Sequence, residues 1–93
     1  MTKEISKQLV KFLKAVANAR RLKIIQLLAK NRAITVSGVA EHIRLSFRST
    51  SHHLRLLRAA DILDAEQRGP EVYYGLNPDA AHTDMLQKIS SKL

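Results

Sequence analysis

From Arg44 to Arg58 the chain runs without a single carboxylate, Gly or Pro, and this stretch constrains the fold more than any other. Ser46 is a good N-cap, because its hydroxyl can accept a hydrogen bond from an amide of the first helical turn that has no partner inside the helix. A helix from Phe47 to about Ala60 is therefore predicted. At 100° per residue, Thr50, Leu54 and Leu57 share one side and Arg48, Ser51, His52 and Arg55 the opposite one. One face can pack while the other presents hydrogen-bond donors. Arg forks onto guanine edges or phosphates, and Ser and His bond to either, so the face suits a DNA major groove. A solvated surface helix carries similar side chains, so the neighbouring segments have to decide between the two.

Charge is placed unevenly along the 93 residues. Residues 1–58 hold 13 Lys and Arg against 2 acids, or +11, whereas residues 59–93 hold 3 against 6, or −3. The basic part is where a polyanion would sit, although charge alone suits RNA or an acidic membrane surface equally well. With 45% hydrophobic residues the chain is expected to fold as one small domain spanning 1–93, short enough for a partner copy to add burial. The absence of Cys excludes disulfides and thiolate metal sites. No apolar run approaches the roughly 18 residues of a membrane span, and the Lys-rich start lacks a signal-like apolar core, so a cytoplasmic protein is expected.

The flanking segments give a consistent order of elements. Residues 3–17 form an amphipathic helix with Ile5, Leu9, Phe12, Leu13 and Val16 on one stripe, beside a row of lysines read as a solvated face. Asn18 caps a second helix, about 19–30, with Leu22, Ile25, Leu28 and Ala29 as its core stripe and Ile24 and Leu27 widening it. Arg20, Arg21 and Lys23 lie in its first turns, where the helix dipole disfavours cations, so Arg21 calls for a specific partner. Ala33 and Ile34 suit a very short strand. Thr35 then caps a helix over Val36–Ile43, whose small Ala40 permits the close crossing of a helix-turn-helix.

After Ala60 the helical period gives way to alternation. Ile62–Gln67 and Val72–Leu76 read as two strands, with Val72, Tyr74 and Leu76 on one face, joined through Arg68-Gly69-Pro70-Glu71. Arg68 at the tip of this wing is placed to enter a minor groove or touch phosphate, while Glu71, Asp64 and Glu66 oppose such contact if they face the duplex. Asn77 and Pro78 restart a helix over 78–93, with Ala81, Met85, Ile89 and Leu93 on one stripe. The two terminal helices are expected to form a dimer interface.

Together these elements make a mainly α chain with a small β-hairpin, in the order α-α-short β-α-α-β-β-α, a winged helix-turn-helix. Asn18-Ala19-Arg20-Arg21-Leu22-Lys23-Ile24, the run from Leu45 to Arg58 with its Ser-His-His-Leu, and Arg68-Gly69 followed by Val72-Tyr73-Tyr74 resemble the ArsR/SmtB family of bacterial and archaeal transcriptional repressors. The resemblance covers about residues 9–77. It implies a homodimer whose two recognition helices enter successive major grooves of an imperfect palindrome. It also implies that Phe47, Arg48, Ser49, Ser51 and His52 read bases. Arg55 joins them from the helical projection, Ser46 and Ser49 lie nearer phosphate, and Arg68 sits on the wing.

Three departures from the family pattern matter. Arg44 and Asp61 stand where the family usually has Gly, and Asp tolerates a left-handed backbone better than Arg does, so a somewhat different turn is expected at Arg44. Where many relatives carry a metal-binding Cys pair, this chain has Thr35 and Ser37, poor ligands for a soft metal. The carboxylate and His site that other relatives build on the last helix is represented only by Asp79 and His82. No metal and no cofactor are expected. His52 and His53 project about 100° apart and do not share an ion; His53 reads as a boundary histidine and His42 carries no evident role. No nucleophile, base and electrostatic support come together, so no enzyme is expected.

The sequence thus reads as a homodimeric DNA-binding repressor whose partners are double-stranded DNA and a second copy of itself. The competing expectation is a winged-helix interaction module that binds nucleic acid only loosely, which the acids around the hairpin favour. Operator and effector are not legible.

Overall fold

The computed structural model describes residues 6–79 and 83–92. Helix α1 (Lys7–Val16) is followed by α2 (Ala19–Lys30), the two-residue strand β1 (Ile34–Thr35), α3 (Val36–Ile43), α4 (Phe47–Ala59), β2 (Leu63–Arg68), β3 (Glu71–Leu76) and α5 (Thr83–Lys92). This is the predicted order of elements. The three strands form an antiparallel sheet in the order β1-β3-β2.

Each of the first four helices starts where a side chain supplies the missing acceptor. Ser6, Asn18, Thr35 and Ser46 accept from the amides of Leu9, Arg21, Gly38 and Ser49 at 3.3, 3.1, 3.1 and 3.1 Å. The last three caps fall where they were expected. The first corrects the predicted start at residue 3: Ser6 has an extended backbone, φ −60° and ψ 127°, so α1 begins at Lys7. Ile5 lies outside the described residues.

The core joins Phe12 and Val16 of α1, Ile24, Ile25 and Leu28 of α2, Val39 and Ile43 of α3, and Leu54 and Leu57 of α4, closed by Ile62, Leu63, Tyr74 and Leu86. Burying each such side chain contributes roughly 1.5–3 kcal/mol. One predicted stripe was rotated from its true position. On α2 the buried face centres on Ile24, Ile25 and Leu28, while Leu22 is half-buried and Ala29 exposed. On α5, which lies against α2, Leu86 is the buried residue at 2% exposure and Met85 is 40% exposed. One position along a helix turns a side chain by 100°, so the Met85 stripe, expected to meet a partner copy, lies off the side that Leu86 packs. Leu13, placed on the α1 stripe, is likewise exposed.

The segment after β3 also differs from expectation. Asn77 does not begin a helix: its side chain donates to Asp61 O at 3.1 Å and accepts from Asp79 N at 3.0 Å, and its amide donates to Ile62 O at 3.0 Å. It ties the end of the wing to the end of α4. Helix α5 is described over Thr83–Lys92, and Ala81, His82 and Leu93 lie outside the described residues. All three strands shift by one residue at one end or both: β1 covers 34–35 rather than 33–34, β2 63–68 rather than 62–67, and β3 starts at Glu71 rather than Val72. Ile62 precedes β2 because it is the last member of the α4 terminating turn, and β1 pairs Ile34 with Tyr74 and Thr35 with Tyr73.

Both helices of the helix-turn-helix end in a left-handed residue that carries a side chain. Arg44 has φ 55° and Asp61 φ 60°. Leu45 N donates to Ala40 O at 3.1 Å, Ile62 N to Leu57 O at 3.0 Å and Asp61 N to Arg58 O at 2.9 Å, the Schellman pattern that satisfies the last carbonyls of a helix. Arg44 thus adopts the conformation that usually calls for Gly, and the tight turn is kept rather than rebuilt. Ala40 is buried on α3, which packs against α4, in accord with the need for a small residue there.

Candidate nucleic-acid interface

Helix α4 is held from behind by the apolar side that the sequence predicted: Thr50, Leu54 and Leu57 are fully buried. Among the described residues the Thr50 hydroxyl has no hydrogen-bond partner, so the methyl group is what suits this position. On the opposite side Arg48, His52 and Arg55 are exposed and Ser51 is half-buried, so these four share one accessible face. Ser49 is also exposed, but at 100° per residue it projects well round the helix from Arg48 and Arg55. The Ser46 hydroxyl is engaged in capping, which leaves its own proton free to donate.

Phe47 is 59% exposed, at the first position of α4. It lines a recess of about 340 Å³ together with Thr35 and Val36 from the start of α3 and Pro70 and Val72 from the wing. The side chain is therefore accessible, in a recess that Ser37 and Glu71 also line.

The cations of α4 are uncompensated. Among the described residues Arg48, Arg55 and Arg58 make no ion pair, and no acid stands on this helix. Arg68 is placed differently. The two-residue turn Gly69-Pro70, with Gly69 at φ 61°, sets Arg68 opposite Glu71 and Glu66 opposite Tyr73. Strand alternation then puts Glu66, Arg68 and Tyr73 on the outer face and Ala65, Tyr74 and Leu76 on the inner one. Arg68 donates to Glu66 at 3.1 Å, and its guanidinium carbon lies 4.6 Å from the centre of the Tyr73 ring. The hydrogen bond and charge of Glu66 hold this guanidinium still more firmly protonated. Of the predicted site, α4 gathers Phe47, Arg48, Ser51, His52 and Arg55, while Arg68 is turned onto its own strand.

What anchors α4 was not legible in the sequence. Arg21 donates through Nε to Ala15 O at 2.6 Å and through a terminal nitrogen to His53 Nδ1 at 3.4 Å. Because guanidinium carries donors only, His53 Nδ1 must be the unprotonated nitrogen and the ring the Nε2–H tautomer. Burial first, then the charge of Arg21, then His52 and Arg20, hold the His53 imidazole below its ordinary range. Arg20 meanwhile donates to Ile43 O at 3.2 Å, tying the start of α2 to the end of α3. The two arginines that looked misplaced at the start of α2 thus brace both helices of the helix-turn-helix. His42, given no role, lies with Nδ1 3.1 Å from Gly38 O in its own helix.

At the start of α3, Thr35 Oγ1 is engaged as the helix cap. Among the described residues no three His, Cys, Asp or Glu side chains lie close enough to hold a metal ion. Nor is any described helix long and apolar enough to cross a membrane.

Residues 18–65, from the α2 cap through the first half of β2, match the model of bacterial regulatory proteins of the arsR family. The chain belongs to the ArsR family. This ArsR-family chain is 39% identical over 64 residues to the transcriptional repressor SdpR of Bacillus subtilis, a match covering 69% of the chain and 70% of SdpR. It spans about half the length, 53%, of two further curated relatives. HlyU from Vibrio cholerae has the same fold, with a TM-score of 0.84 and 27% identity over 98% of this chain and 97% of HlyU. A homodimeric winged helix-turn-helix DNA-binding domain, Mb0332 from Mycobacterium bovis, aligns with a TM-score of 0.78 and 25% identity over 99% of this chain and 91% of that domain.

Proposed function

We propose that this chain is a homodimeric, sequence-specific DNA-binding repressor that occupies an imperfect inverted repeat in promoter DNA and so blocks polymerase. The observation that carries the proposal is the outer face of α4, where Arg48, Ser51, His52 and Arg55 point away from the core with no carboxylate among them. Buried ion pairs or structural cations would have partners, and these have none among the described residues. Arg48 and Arg55 are suited to guanine edges or phosphate, Ser51 and His52 to base edges, Ser46 and Ser49 to phosphate, and exposed Phe47 to a thymine methyl group.

Dimerisation through the terminal helices is supported by the exposed Val10 and Leu13 of α1 and Met85 of α5, apolar side chains 38%, 46% and 40% accessible that a partner copy would cover. The repressor role is carried over from SdpR and the homodimer from Mb0332, both by similarity. Such a protein acts in the cytoplasm, by binding rather than catalysis.

The test is selection of the purified protein against randomised duplex DNA, followed by titration of the enriched sequence and a scrambled control near physiological salt. An inverted repeat with half-sites about one helical turn apart, bound at least ~10³-fold more tightly than the control, is the expected result. Equal binding of both duplexes, falling steeply with salt, would make the face a non-specific phosphate surface. The wing favours that second reading in one respect, since its acids and its self-paired Arg68 offer little to a duplex.

A further inference from the structure

Between the second half of α1 and the second half of α4 lies a recess of about 220 Å³. Its floor is apolar: Ala15, Ala59, Ala60 and Leu56, the last 39% exposed although it is a large aliphatic residue. Its rim is cationic: Lys11, Lys14 and Arg21. No carboxylate lines it, and neither lysine makes an ion pair among the described residues. An uncharged apolar ligand would leave the cations unused, and a highly charged one would waste the floor. The volume is below the usual ~300–1,000 Å³ of sites for drug-sized ligands, so the occupant is small.

We infer that this recess binds a small amphipathic monocarboxylate, with the carboxylate at Lys11 and Lys14 and the aliphatic part against Leu56, Ala59 and Ala60. Arg21 links the recess to the DNA-facing helix. Arg21 lines the recess, and its guanidinium donates to His53 on α4, the neighbour of His52 on the exposed face. A carboxylate at the rim competes for the same guanidinium. It therefore weakens the brace between α2 and α4, and by linkage DNA and ligand lower each other's affinity. The regulatory half of this inference rests on the DNA-binding reading above; the binding half does not.

The probe is hexanoate, titrated into the full chain while backbone amides and histidine ring protons are followed by NMR, with hexanol and acetate as controls. Saturable shifts at Ala15, Leu56, Ala59, Ala60 and the His53 ring are expected, with half-saturation on the order of 1 mM. Hexanol and acetate should each bind several-fold more weakly, and the Lys11→Gln, Lys14→Gln double variant should weaken hexanoate by about fivefold. On an enriched duplex, hexanoate should reduce affinity for the unsubstituted chain more than for that variant. Non-saturating shifts, equal binding of hexanol, or a change in oligomeric state during the titration would overturn the inference; the last would make the recess a subunit contact. It also fails if the double variant loses duplex affinity as strongly without hexanoate as it loses hexanoate, because the lysines then serve phosphate. If selection enriches an inverted repeat but hexanoate does not bind, only this inference falls. If hexanoate saturates the recess but no sequence is enriched, the ligand site stands and the repressor reading falls.

Discussion

Helix α4 and the wing both carry arginine toward solvent, yet they differ in what those arginines can do. On α4, Arg48 and Arg55 stand among Ser and His with no acid on the helix, and their donors are open. On the wing, Arg68 is folded back onto Glu66 and the Tyr73 ring. The difference follows from geometry. A helix fans its side chains over a full circle, so one acid-free face can be kept clear. A two-residue hairpin sets residues two apart and directly opposite on the same face, which brings Glu66, Arg68 and Tyr73 together. Cationic residues therefore count toward a polyanion only when nothing closer uses their charge. By that measure α4, rather than the wing, is the element proposed to meet the duplex.

Arg48→Ala should break the comparison from the stronger side. If Arg48 reads a base, the variant binds the enriched duplex about 1–3 kcal/mol more weakly and loses preference at one base pair in each half-site. Titration against a panel of single-base variants checks this. An equal loss on every sequence, with the salt slope smaller by about 1, would reduce Arg48 to a phosphate contact.

The next effect concerns how α4 is presented. Its two ends are fixed by left-handed Arg44 and Asp61, and neither has the freedom of Gly. A left-handed L-residue costs roughly 1–2 kcal/mol, of which the larger freedom of Gly in the unfolded chain cancels about 0.5–1. Arg44→Gly should therefore raise stability by about 1 kcal/mol or somewhat less, and Asp61→Gly by less, since Asp tolerates this conformation better. Urea unfolding measures both. Destabilisation by Arg44→Gly would mean that the Arg44 side chain contributes more than its backbone costs.

The brace behind α4 gives a pH-dependent prediction. His53 titrates below its ordinary 6.5 in the folded chain, so between 6.5 and that lower value the unfolded chain takes up the proton and the folded chain does not. The stabilisation by His53 is complete above pH 6.5 and declines as pH falls through the window. In His53→Asn, which keeps an acceptor near the Arg21 donor but cannot titrate, the curve of stability against pH should be flatter as pH falls below 6.5. Parallel curves for the two proteins would place the proton elsewhere.

These regions were not equally legible in the sequence. Local signals were enough for α4: Ser46 caps it, Thr50, Leu54 and Leu57 bury it, and the exposed face falls where the 3.6-residue period puts it. The caps at Asn18 and Thr35 and the inner face of the hairpin were legible for the same reason, since each depends on neighbours within a few residues. Contacts between distant residues were not. The Arg21 to His53 bond spans 32 positions, and only packing of α2 on α4 creates it. On α5, Met85 and Leu86 are equally apolar, and the choice between them depends on where α2 lies. The Glu66, Arg68 and Tyr73 cluster was within reach. Once Gly69-Pro70 is taken as a two-residue turn, the register follows and brings the three together.

The smallest effect tests the wing itself. Exposed ion pairs contribute little because water and salt screen them, so removing either partner of Arg68 and Glu66 should barely alter stability. DNA binding is the sharper measurement. If Arg68 remains on Glu66 in the complex, Arg68→Ala changes affinity for the enriched duplex by less than about threefold and leaves the salt slope unchanged, because no counterion is released at that position. Glu66→Gln removes the competing carboxylate and leaves the Tyr73 ring as the main restraint on the guanidinium. It should raise affinity by up to about threefold and steepen the salt slope by up to about 1, as Arg68 becomes available to phosphate. The two variants together separate an idle wing from a restrained one: no response to either means the wing lies away from the duplex, and a gain with Glu66→Gln means Glu66 holds Arg68 back. A loss in Arg68→Ala as large as that in Arg48→Ala would reverse the comparison, because Arg68 would then leave Glu66 on binding and contribute as much as the helix.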